Sequence, residues 1–374
     1  MIRFEGVGKT YPDGTVAVRP LDLVAETGKM TVLVGPSGCG KTTCLRMINR
    51  MIEPTAGTIW LDEVDTRSVP AAQLRRGIGY VIQQAGLFPH RTVLDNVLTV
   101  PMLLGQDRRK ARTRAMELLE RVGLDAGYAR RYPAQLSGGQ QQRVGVARAL
   151  AADPPVMLMD EPFSAVDPVV REQLQAEFLR LQSELGKTIV FVTHDIDEAI
   201  KLGDRVAVLG VGGVLQQLDA PAELLAHPAN DFVASFVGRD RGYRALGFAY
   251  DAVPLFDEPS IRLGDSVAQA RRIARDSWVL AVDSDGRPQG WLDLRAHPDE
   301  QPVGKQMLNL GGTLATEGGP LRTVLDAALS SPSRRGVVVD DQGRLRGTLT
   351  PADVVDVISD RTEHAEQRGE RSGR

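Results

Sequence analysis

The stretch Gly35-Pro36-Ser37-Gly38-Cys39-Gly40-Lys41-Thr42 decides the fold of this 374-residue chain. It follows the apolar run 30–34, which predicts a buried strand, and it precedes a helical pattern over residues 43–48. A strand, a glycine-rich loop ending in Lys-Thr and a helix form a phosphate-binding loop, whose N–H groups and helix N-terminus attract an anion. The sequence therefore predicts a nucleoside triphosphate site. Lys41 would bind the β- and γ-phosphates, and the Thr42 hydroxyl would be a ligand of Mg²⁺.

Composition indicates an ordinary soluble protein with room for two domains. Hydrophobic residues make up 42% and charged residues 25% of the chain, and the net charge of -3 gives no reason to expect nucleic-acid binding. The sequence shows no signal-peptide pattern, and no apolar run approaches the ~18 residues that cross a bilayer. If the protein works at a membrane, another chain supplies the spans. The two cysteines, Cys39 and Cys44, are expected to be reduced cytoplasmic thiols.

Polar side chains follow three further predicted strands. These are Gln83 and Gln84 after 77–82, Asp160 and Glu161 after 156–159, and His194 after 188–192. Carboxyl ends of strands are where ligands bind in open α/β sheets. One acid there can hold Mg²⁺, a second can orient or deprotonate a water, and a histidine can hydrogen-bond a γ-phosphate. Taken alone, each of these residues also has a structural interpretation. The glutamines could simply be polar residues that end a strand, the two acids a capping pair, and the histidine a surface imidazole.

A second anion-binding surface is predicted far from the first in sequence. Leu136-Ser137-Gly138-Gly139-Gln140 precedes the helical run 141–151. Ser137 is a plausible N-cap, and the two glycines leave the helix N-terminus open to an anion. Near the N-terminus, Tyr11 lies in a turn between two predicted strands, where its ring could stack on adenine or could simply pack in the turn.

Together these motifs resemble the nucleotide-binding subunit of ABC transporters over residues 11–238. Residues 35–42 match Walker A and residues 156–160 match Walker B, with Glu161 in the position of the catalytic base. Residues 136–140 match the family signature letter for letter, and residues 164–167 match the D-loop with Val166 in place of the usual leucine. Gln83 fits the Q-loop and His194 the switch histidine.

The resemblance implies roles for individual residues. It assigns ATP contacts to Tyr11, Gly35, Pro36, Ser37, Gly38, Cys39, Gly40, Lys41, Thr42, Thr43, Ser137, Gly138, Gly139, Gln140 and Asp167. It assigns catalysis to Lys41, Gln83, Glu161 and His194, and Mg²⁺ binding to Thr42, Gln83 and Asp160. The implied fold is an α/β P-loop NTPase core with an antiparallel β subdomain and a helical subdomain. Two subunits would pair head to tail, with each ATP between Walker A of one and the signature of the other.

The C-terminal third contains an internal repeat. Val282-Asp283-Ser284-Asp285-Gly286-Arg287 and Val339-Asp340-Asp341-Gln342-Gly343-Arg344 coincide when shifted by 57 residues. Each copy reads helix, strand, Asp/Gly turn, strand, with helices near 265–275 and 321–330, and the copies should pair. This repeat is similar to a tandem CBS (Bateman) module. The expected organisation is an ATPase domain over 1–238, a linker over 239–252, a CBS pair over 253–360 and a disordered tail over 361–374.

Modules of this kind bind adenine nucleotides or cyclic dinucleotides, or only dimerise. Thr350 and Asp353 match the T/S-x-x-D element that grips ribose and phosphate in ligand-binding copies. The first copy has Asp293 and Ala296 at the equivalent places, so one ligand site is expected to be lost. The sequence leaves a purely dimerising role open.

An ABC ATPase with a C-terminal CBS pair resembles the subunit of importers for quaternary amines such as glycine betaine, choline, carnitine and proline betaine. The resemblance implies integral-membrane permease partners, a solute-binding protein acting indirectly, and a location at the cytoplasmic face of the membrane. Two alternatives stay open: the import of another small solute, such as a polyamine or methionine, and an ABC ATPase outside transport. The tail, residues 361–374, carries both acidic and basic residues. A strongly acidic tail would have favoured sensing of osmotic stress through charge, so this tail argues against that mechanism.

Overall fold

The computed structural model describes residues 1–83, 86–164, 166–309 and 312–372. The chain divides into two compact units, residues 1–239 and 240–374. The strands of the first unit are β1 (Ile2–Thr10), β2 (Val16–Ala25), β3 (Met30–Val34), β4 (Ala56–Leu61), β5 (Val64–Asp65), β6 (Ile78–Val81), β7 (Val156–Asp160), β8 (Thr188–Val192), β9 (Arg205–Gly210) and β10 (Val214–Asp219). Its helices are α1 (Lys41–Ile48), α2 (Ala71–Arg76), α3 (Val93–Val97), α4 (Thr99–Leu103), α5 (Arg108–Arg121), α6 (Gly138–Leu150), α7 (Pro168–Leu185), α8 (Ile196–Leu202), α9 (Pro221–Ala226) and α10 (Asp231–Val237).

A six-stranded sheet in the order β10-β9-β3-β8-β7-β6 forms the centre of the first unit. The strands from β9 to β6 run parallel, and β10 is antiparallel to β9. Every residue of β3, β7 and β8 is buried, as the unbroken apolar runs predict for a sheet covered on both faces. The parallel register brings the carboxyl ends of β6, β7, β8 and β3 to one edge.

A second, antiparallel sheet in the order β2-β1-β4-β5 packs into the same core. Helices α3, α5 and α6 contact one another and form the predicted helical region. The α/β class, the antiparallel sheet and the helical region are therefore all observed. In the part of the chain that the structure describes, no helix is long and apolar enough to cross a bilayer.

The second unit contains the repeat that the sequence predicts. Its strands are β11 (Ser260–Arg262), β12 (Trp278–Val282), β13 (Pro288–Asp293), β14 (Leu308–Asn309), β15 (Leu314–Thr316), β16 (Gly336–Val339) and β17 (Leu345–Leu349). Its helices are α11 (Arg241–Ala245), α12 (Val267–Ile273), α13 (Leu321–Ser330) and α14 (Pro351–Ser372). Each copy reads strand, helix, strand, strand, with the first two strands parallel and the last two antiparallel.

The two copies also share their local irregularities. In the first, the β12–β13 register shifts after the pair Ala281–Gly290, and in the second the β16–β17 register shifts after Val338–Gly347. These pairs are related by the same 57-residue offset as the Asp/Gly turns. The copies pack together through a shared cluster of Leu280, Trp291, Val337 and Val339. The predicted pairing of the copies is therefore present within one chain.

Two segments differ from the sequence-based expectation. Residues 240–252, predicted to be a linker, contain α11 and belong to the second unit, because the Tyr243 hydroxyl donates a hydrogen bond to Asp326 and the Arg322 guanidinium stacks over the Tyr243 ring. The backbone of α14 continues to Ser372, through most of the tail for which the sequence predicts disorder. That tail is rich in Glu, Arg and Gln, which favour helices. Residues 373–374 lie outside the described residues.

Candidate functional site

The phosphate-binding loop, residues 35–40, joins β3 to α1 as predicted. Gly40 has a left-handed φ of 102°, which a side chain would strain. A Cβ on Gly40 would lie 2.6 Å from the carbonyl oxygen of Ala17, and one on Gly35 would lie 2.2 Å from that of Leu209. The loop is therefore wedged against the β1–β2 hairpin on one side and β9 on the other. Glycine at these two positions is required by space as well as by φ.

Lys41, the first residue of α1, is only 6% exposed. Its Nζ donates hydrogen bonds to the carbonyl oxygens of Gly35 at 2.7 Å and Pro36 at 3.0 Å. Backbone carbonyls satisfy the N–H groups but do not neutralise the charge, and a buried ammonium favours an anionic partner. The loop thus fits the phosphates of a nucleotide, with Lys41 supplying the positive charge.

Thr42 and Asp160 meet at the end of the central sheet, where the Thr42 hydroxyl donates a hydrogen bond of 3.0 Å to Oδ1 of Asp160. Mg²⁺ prefers hard oxygen ligands and usually takes one or two from protein, with the rest from phosphates and water. Among the described residues, no group of three or more His, Cys, Asp or Glu side chains could hold a metal alone. The hydroxyl and carboxylate oxygens therefore fit a Mg²⁺ ion that binds together with a nucleotide.

Arg46 is a member of this site that the sequence-based prediction missed. Its guanidinium lies 4.0 Å from Oδ2 of Asp160. Burial raises the pKa of Asp160 above its usual value, and the Thr42 hydroxyl and the Arg46 charge only partly oppose that effect. Thr42 and Arg46 are one helical turn apart on α1, so the i,i+4 spacing was the signal that would have found it.

Glu161, Gln83 and His194 converge on one carboxylate oxygen. Nε2 of Gln83 donates a hydrogen bond of 3.3 Å to Oε2 of Glu161, and Nδ1 of His194 lies 3.1 Å from the same oxygen. The three residues come from the ends of β6, β7 and β8, which are adjacent in the sheet. The structure thus assembles the predicted catalytic groups around Glu161. Gln84, predicted beside Gln83, lies outside the described residues.

The backbone at Glu161 is strained. Its φ of 45° lies in the left-handed region, which costs a non-glycine residue roughly 1–3 kcal/mol. Two hydrogen bonds hold this conformation. The N–H of Glu161 donates to the carbonyl oxygen of Val192 at 3.0 Å, and the Ser164 hydroxyl donates to the carbonyl oxygen of Glu161 at 2.9 Å. These bonds turn the chain sharply after β7 and aim the carboxylate at Gln83 and His194.

The signature residues form the N-terminus of α6. Ser137 is the N-cap, with its Oγ accepting from the N–H of Gln140 at 3.3 Å, while Oε1 of Gln140 accepts from the N–H of Ser137 at 3.0 Å. This is a capping box, as the sequence pattern allows. Nε2 of Gln140 also donates to the hydroxyl of Tyr128 at 3.1 Å. The N–H groups of Gly138 and Gly139 belong to the first turn, where an α-helix provides no acceptor of its own.

Two other predicted nucleotide contacts have structural partners within the chain. Asp167 is the N-cap of α7 and accepts a hydrogen bond of 3.0 Å from the N–H of Val169. Tyr11 lies in the β1–β2 turn with the Lys9 ammonium 5.3 Å from its ring centroid. Ala165, in the predicted D-loop, lies outside the described residues.

In the second unit, Thr350 and Asp353 bind each other. Oδ2 of Asp353 accepts hydrogen bonds of 2.7 Å from both the N–H and the hydroxyl of Thr350, in the manner of a helix cap before α14. A cavity of ≈ 470 Å³ in the same unit has Arg346 and Leu349 in its wall, and neither Thr350 nor Asp353 is among its lining residues. At the equivalent place in the first copy, Asp293 accepts from the N–H of Arg295 at 3.0 Å and caps a short 3-10 turn.

Comparisons with known proteins give a family and several relatives. Residues 18–164 match the family model described as "ABC transporter". The chain is 44% identical over 369 residues to the osmoprotectant import ATP-binding protein OsmV of Salmonella typhimurium, covering 96% of each chain. It is 41% identical over 371 residues to the glycine betaine/carnitine/choline transport ATP-binding protein OpuCA of Bacillus subtilis, covering 96% of this chain and 97% of the relative.

A solved structure resembles the first unit. It is the dimeric structure of a post-hydrolysis state of an ATP-binding cassette bound to ADP and Pi, with 36% sequence identity and a TM-score of 0.54. The match covers 59% of this chain and 99% of the cassette.

Proposed function

Because this chain belongs to the family of ABC-transporter ATP-binding proteins that energise osmoprotectant import, we propose that it powers uptake of a quaternary amine through a separate permease. The observation that carries the proposal is the alignment of the chain with such relatives over 96% of its length. The same chain brings a phosphate-binding loop and the polar residues that follow β6, β7 and β8 to one edge of its sheet. The Bacillus subtilis relative is named for the transport of glycine betaine, carnitine and choline. The chain itself hydrolyses ATP, as its family does.

The residues at the sheet edge divide the hydrolysis among them. Lys41 and the loop N–H groups bind the β- and γ-phosphates. Thr42 and Asp160 would hold a Mg²⁺ ion, which would supply further positive charge to the phosphates. Glu161 polarises the attacking water, and Gln83 and His194 hold its carboxylate in position. His194 would also donate a hydrogen bond to the γ-phosphate of bound ATP. We extend the Mg²⁺ role to Gln83, whose amide oxygen is a suitable neutral ligand.

The signature supports a head-to-tail homodimer. Ser137, Gly138 and Gly139 present a capped helix N-terminus, which is an anion site by its geometry. Gln140, which completes the cap, donates to the Tyr128 hydroxyl, and Gly139 faces Val170 and Leu174 of α7 in the same chain, whereas the phosphate-binding loop has its own contacts with β2 and β9. In the proposed dimer each signature completes the site of the other subunit, with Asp167 at the junction and Tyr11 against adenine. The similar cassette is itself dimeric.

The permease would dock on the first unit beside Phe88. This side chain is 40% exposed and follows the site residue Gln83 by five positions. A groove of ≈ 250 Å³ next to it is lined by Tyr80, Val100 and Arg148, among others. Exposed apolar surface beside arginines suits a partner segment that carries both apolar and acidic residues. The chain would thus lie at the cytoplasmic face of the membrane, attached through the permease, with a solute-binding protein acting on the other side.

The second unit would regulate transport as a tandem CBS module. The paired β-α-β-β copies and the ≈ 470 Å³ cavity support this proposal. An adenine nucleotide or cyclic dinucleotide is the candidate ligand, because Arg346 in the cavity wall can pair with phosphate. Thr350 and Asp353 would have to exchange their mutual hydrogen bonds for bonds to ribose.

Uptake by proteoliposomes tests the cargo. Vesicles containing the permease subunits and this chain, loaded with Mg·ATP, should accumulate glycine betaine, choline or carnitine from a purified solute-binding protein. Uptake of spermidine or methionine instead would establish the other import function. ATP hydrolysis with no permease copurifying from the native membrane would point to a non-transport ATPase.

A further inference from the structure

Asn96 is a fully buried polar residue that the proposed ATP site does not use. It lies on α3, in the helical region, and is 0% exposed. Its side-chain amide is hydrogen-bonded to the backbone of residues 88–92, which form the Phe88 loop. A buried amide is costly unless it is hydrogen-bonded, so the partners of Asn96 indicate what it does.

The amide of Asn96 holds the Phe88 loop at both ends. Its Oδ1 accepts from the N–H of Phe88 at 2.8 Å, and its Nδ2 donates to the carbonyl oxygen of Phe88 at 3.2 Å. The same Nδ2 donates to the carbonyl oxygens of Arg91 at 3.2 Å and Thr92 at 2.9 Å. Since an amide has two N–H groups, the three carbonyl oxygens share them. One side chain therefore fixes the backbone where the loop starts and where it ends.

The Phe88 ring is also held by its neighbours, although it is 40% exposed. The Arg91 guanidinium lies 5.1 Å from the ring centroid, which is a cation–π contact, and the centroid of the His90 ring lies 6.0 Å away. Nη1 of Arg91 donates in turn to the Thr99 hydroxyl of α4 at 3.3 Å. An exposed aromatic ring with a fixed backbone and fixed neighbours is preorganised to contact a partner.

The chain between Gln83 and the Phe88 loop is attached to the helical region as well. Gly86 has a left-handed φ of 55°, and its carbonyl oxygen accepts from Nη1 of Arg148 on α6 at 2.7 Å. Helices α3 and α6 contact each other. Gln83 itself is hydrogen-bonded to Glu161. The Phe88 loop therefore connects the helical region with the residue that holds the proposed base.

We propose that Asn96 is a positioning residue for coupling to the permease. It holds the Phe88 loop in the conformation that the permease binds, and it acts through the loop backbone without touching the permease or ATP. A loop that is already ordered loses little conformational entropy on binding, so the amide strengthens docking. This inference rests on the proposed docking of the permease beside Phe88.

Titration of the full chain onto nanodiscs that contain the permease subunits tests this inference. Asn96→Asp keeps the size of the side chain and an acceptor for the N–H of Phe88, but it removes both N–H donors. The dissociation constant should rise about tenfold, as expected when one or two net hydrogen bonds are lost. Hydrolysis of ATP by the chain alone should stay within about twofold of wild type. Phe88→Ala should also weaken binding, and adding Asn96→Asp to it should cause little further loss, because both act through one contact.

Gln217→Glu is the matched control for a buried amide changed to an acid. Gln217 lies on β10, accepts from the N–H of Ala229 at 2.8 Å and donates to the carbonyl oxygen of His227 at 3.0 Å. Both acid variants should lower Tm, but only Asn96→Asp should weaken permease binding. Equal weakening by both would overturn the inference, and so would wild-type affinity in Asn96→Asp when Phe88→Ala binds poorly. A wild-type chain that does not bind the permease would contradict the transport function itself.

Hydrogen exchange in the wild-type chain gives a second test, which holds even if Asn96→Asp fails to fold. The N–H of Phe88, which is bonded to Asn96, should exchange at least about tenfold more slowly than in an unstructured peptide of residues 86–92. Exchange at the rate of the peptide would show that the loop is not held and would overturn the inference.

Discussion

Nδ1 of His194 lies 3.1 Å from Oε2 of Glu161. The same oxygen accepts a hydrogen bond from Gln83 at 3.3 Å. The carboxylate of Glu161, the proposed base, is thus held from β6 and β8, the strands on either side of β7. Such preorganisation lowers the cost of positioning the base during the reaction.

Replacing the base should separate binding from turnover. Glu161→Gln keeps the size and hydrogen-bonding capacity of the side chain but cannot polarise water, so kcat should fall by at least ~100-fold. The dissociation constant for ATP should stay near the wild-type value, because the phosphates are held by Lys41 and the loop. Phosphate release and equilibrium binding measure the two quantities. Hydrolysis at a near-normal rate would refute the role of Glu161, and Glu120→Gln, on the exposed side of α5, is the matched control.

Tyr128 should support the signature from outside the motif. Its hydroxyl accepts from Nε2 of Gln140, whose Oε1 holds the N–H of Ser137. Tyr128→Phe removes one oxygen and should raise the ATP concentration needed for half-maximal hydrolysis by about threefold, since a net hydrogen bond contributes roughly 0.5–1.5 kcal/mol. Tyr132→Phe, on a ring that is 46% exposed, is the control and should leave this concentration unchanged. Equal effects from both variants would contradict the role of Tyr128.

The sequence predicted individual strands and helices better than it predicted contacts between side chains that are far apart in the chain. The bounds of β3 and β8 match the predicted runs because a strand that is buried along its whole length has no exposed position at which the pattern changes. The contact of Gln83, Glu161 and His194 was beyond prediction from spacing, since it depends on strand order and on the left-handed φ of Glu161. The predicted linker was wrong for a similar reason.

The linker error arose from one distant contact. The segment 239–247 is charged and contains glycine, which is typical of connections, and nothing nearby in sequence signals that Tyr243 binds Asp326. The buried hydrogen bond from Gln175 to Glu198 could not be predicted for the same reason, because the two residues lie 23 positions apart on different helices. Long-range polar contacts leave no periodicity to detect.

Both cysteines should resist alkylation in the folded protein. Cys39 and Cys44 are fully buried, and burial raises the pKa of the Cys44 thiol to about 12. Since the thiolate is the reactive form, almost none is present at pH 8. Mass spectrometry after exposure to a maleimide should find no adduct under native conditions and two adducts in guanidinium chloride. Rapid native labelling of Cys44 would show that α1 opens.

The second unit should depend on one buried ion pair. Nε of Arg335 lies 3.2 Å from Glu258, whose side chain is 2% exposed and also accepts from the Thr348 hydroxyl at 2.8 Å. Arg335→Met leaves that carboxylate buried without its cation and should lower the free energy of unfolding by about 3 kcal/mol in urea titrations. Arg346→Met breaks an exposed pair with Glu317 and should cost much less. Equal losses would contradict the importance of burial.

The central claim is that two copies of this chain share their ATP sites, each through its signature. Light scattering after size exclusion tests it directly in the Glu161→Gln variant, which should be monomeric alone and dimeric with Mg·ATP. Adding Ser137→Ala and Gly139→Asp removes the cap and places a carboxylate at the anion site, so ATP should still bind but the protein should stay monomeric. Dimers that form equally well with the altered signature would contradict the account.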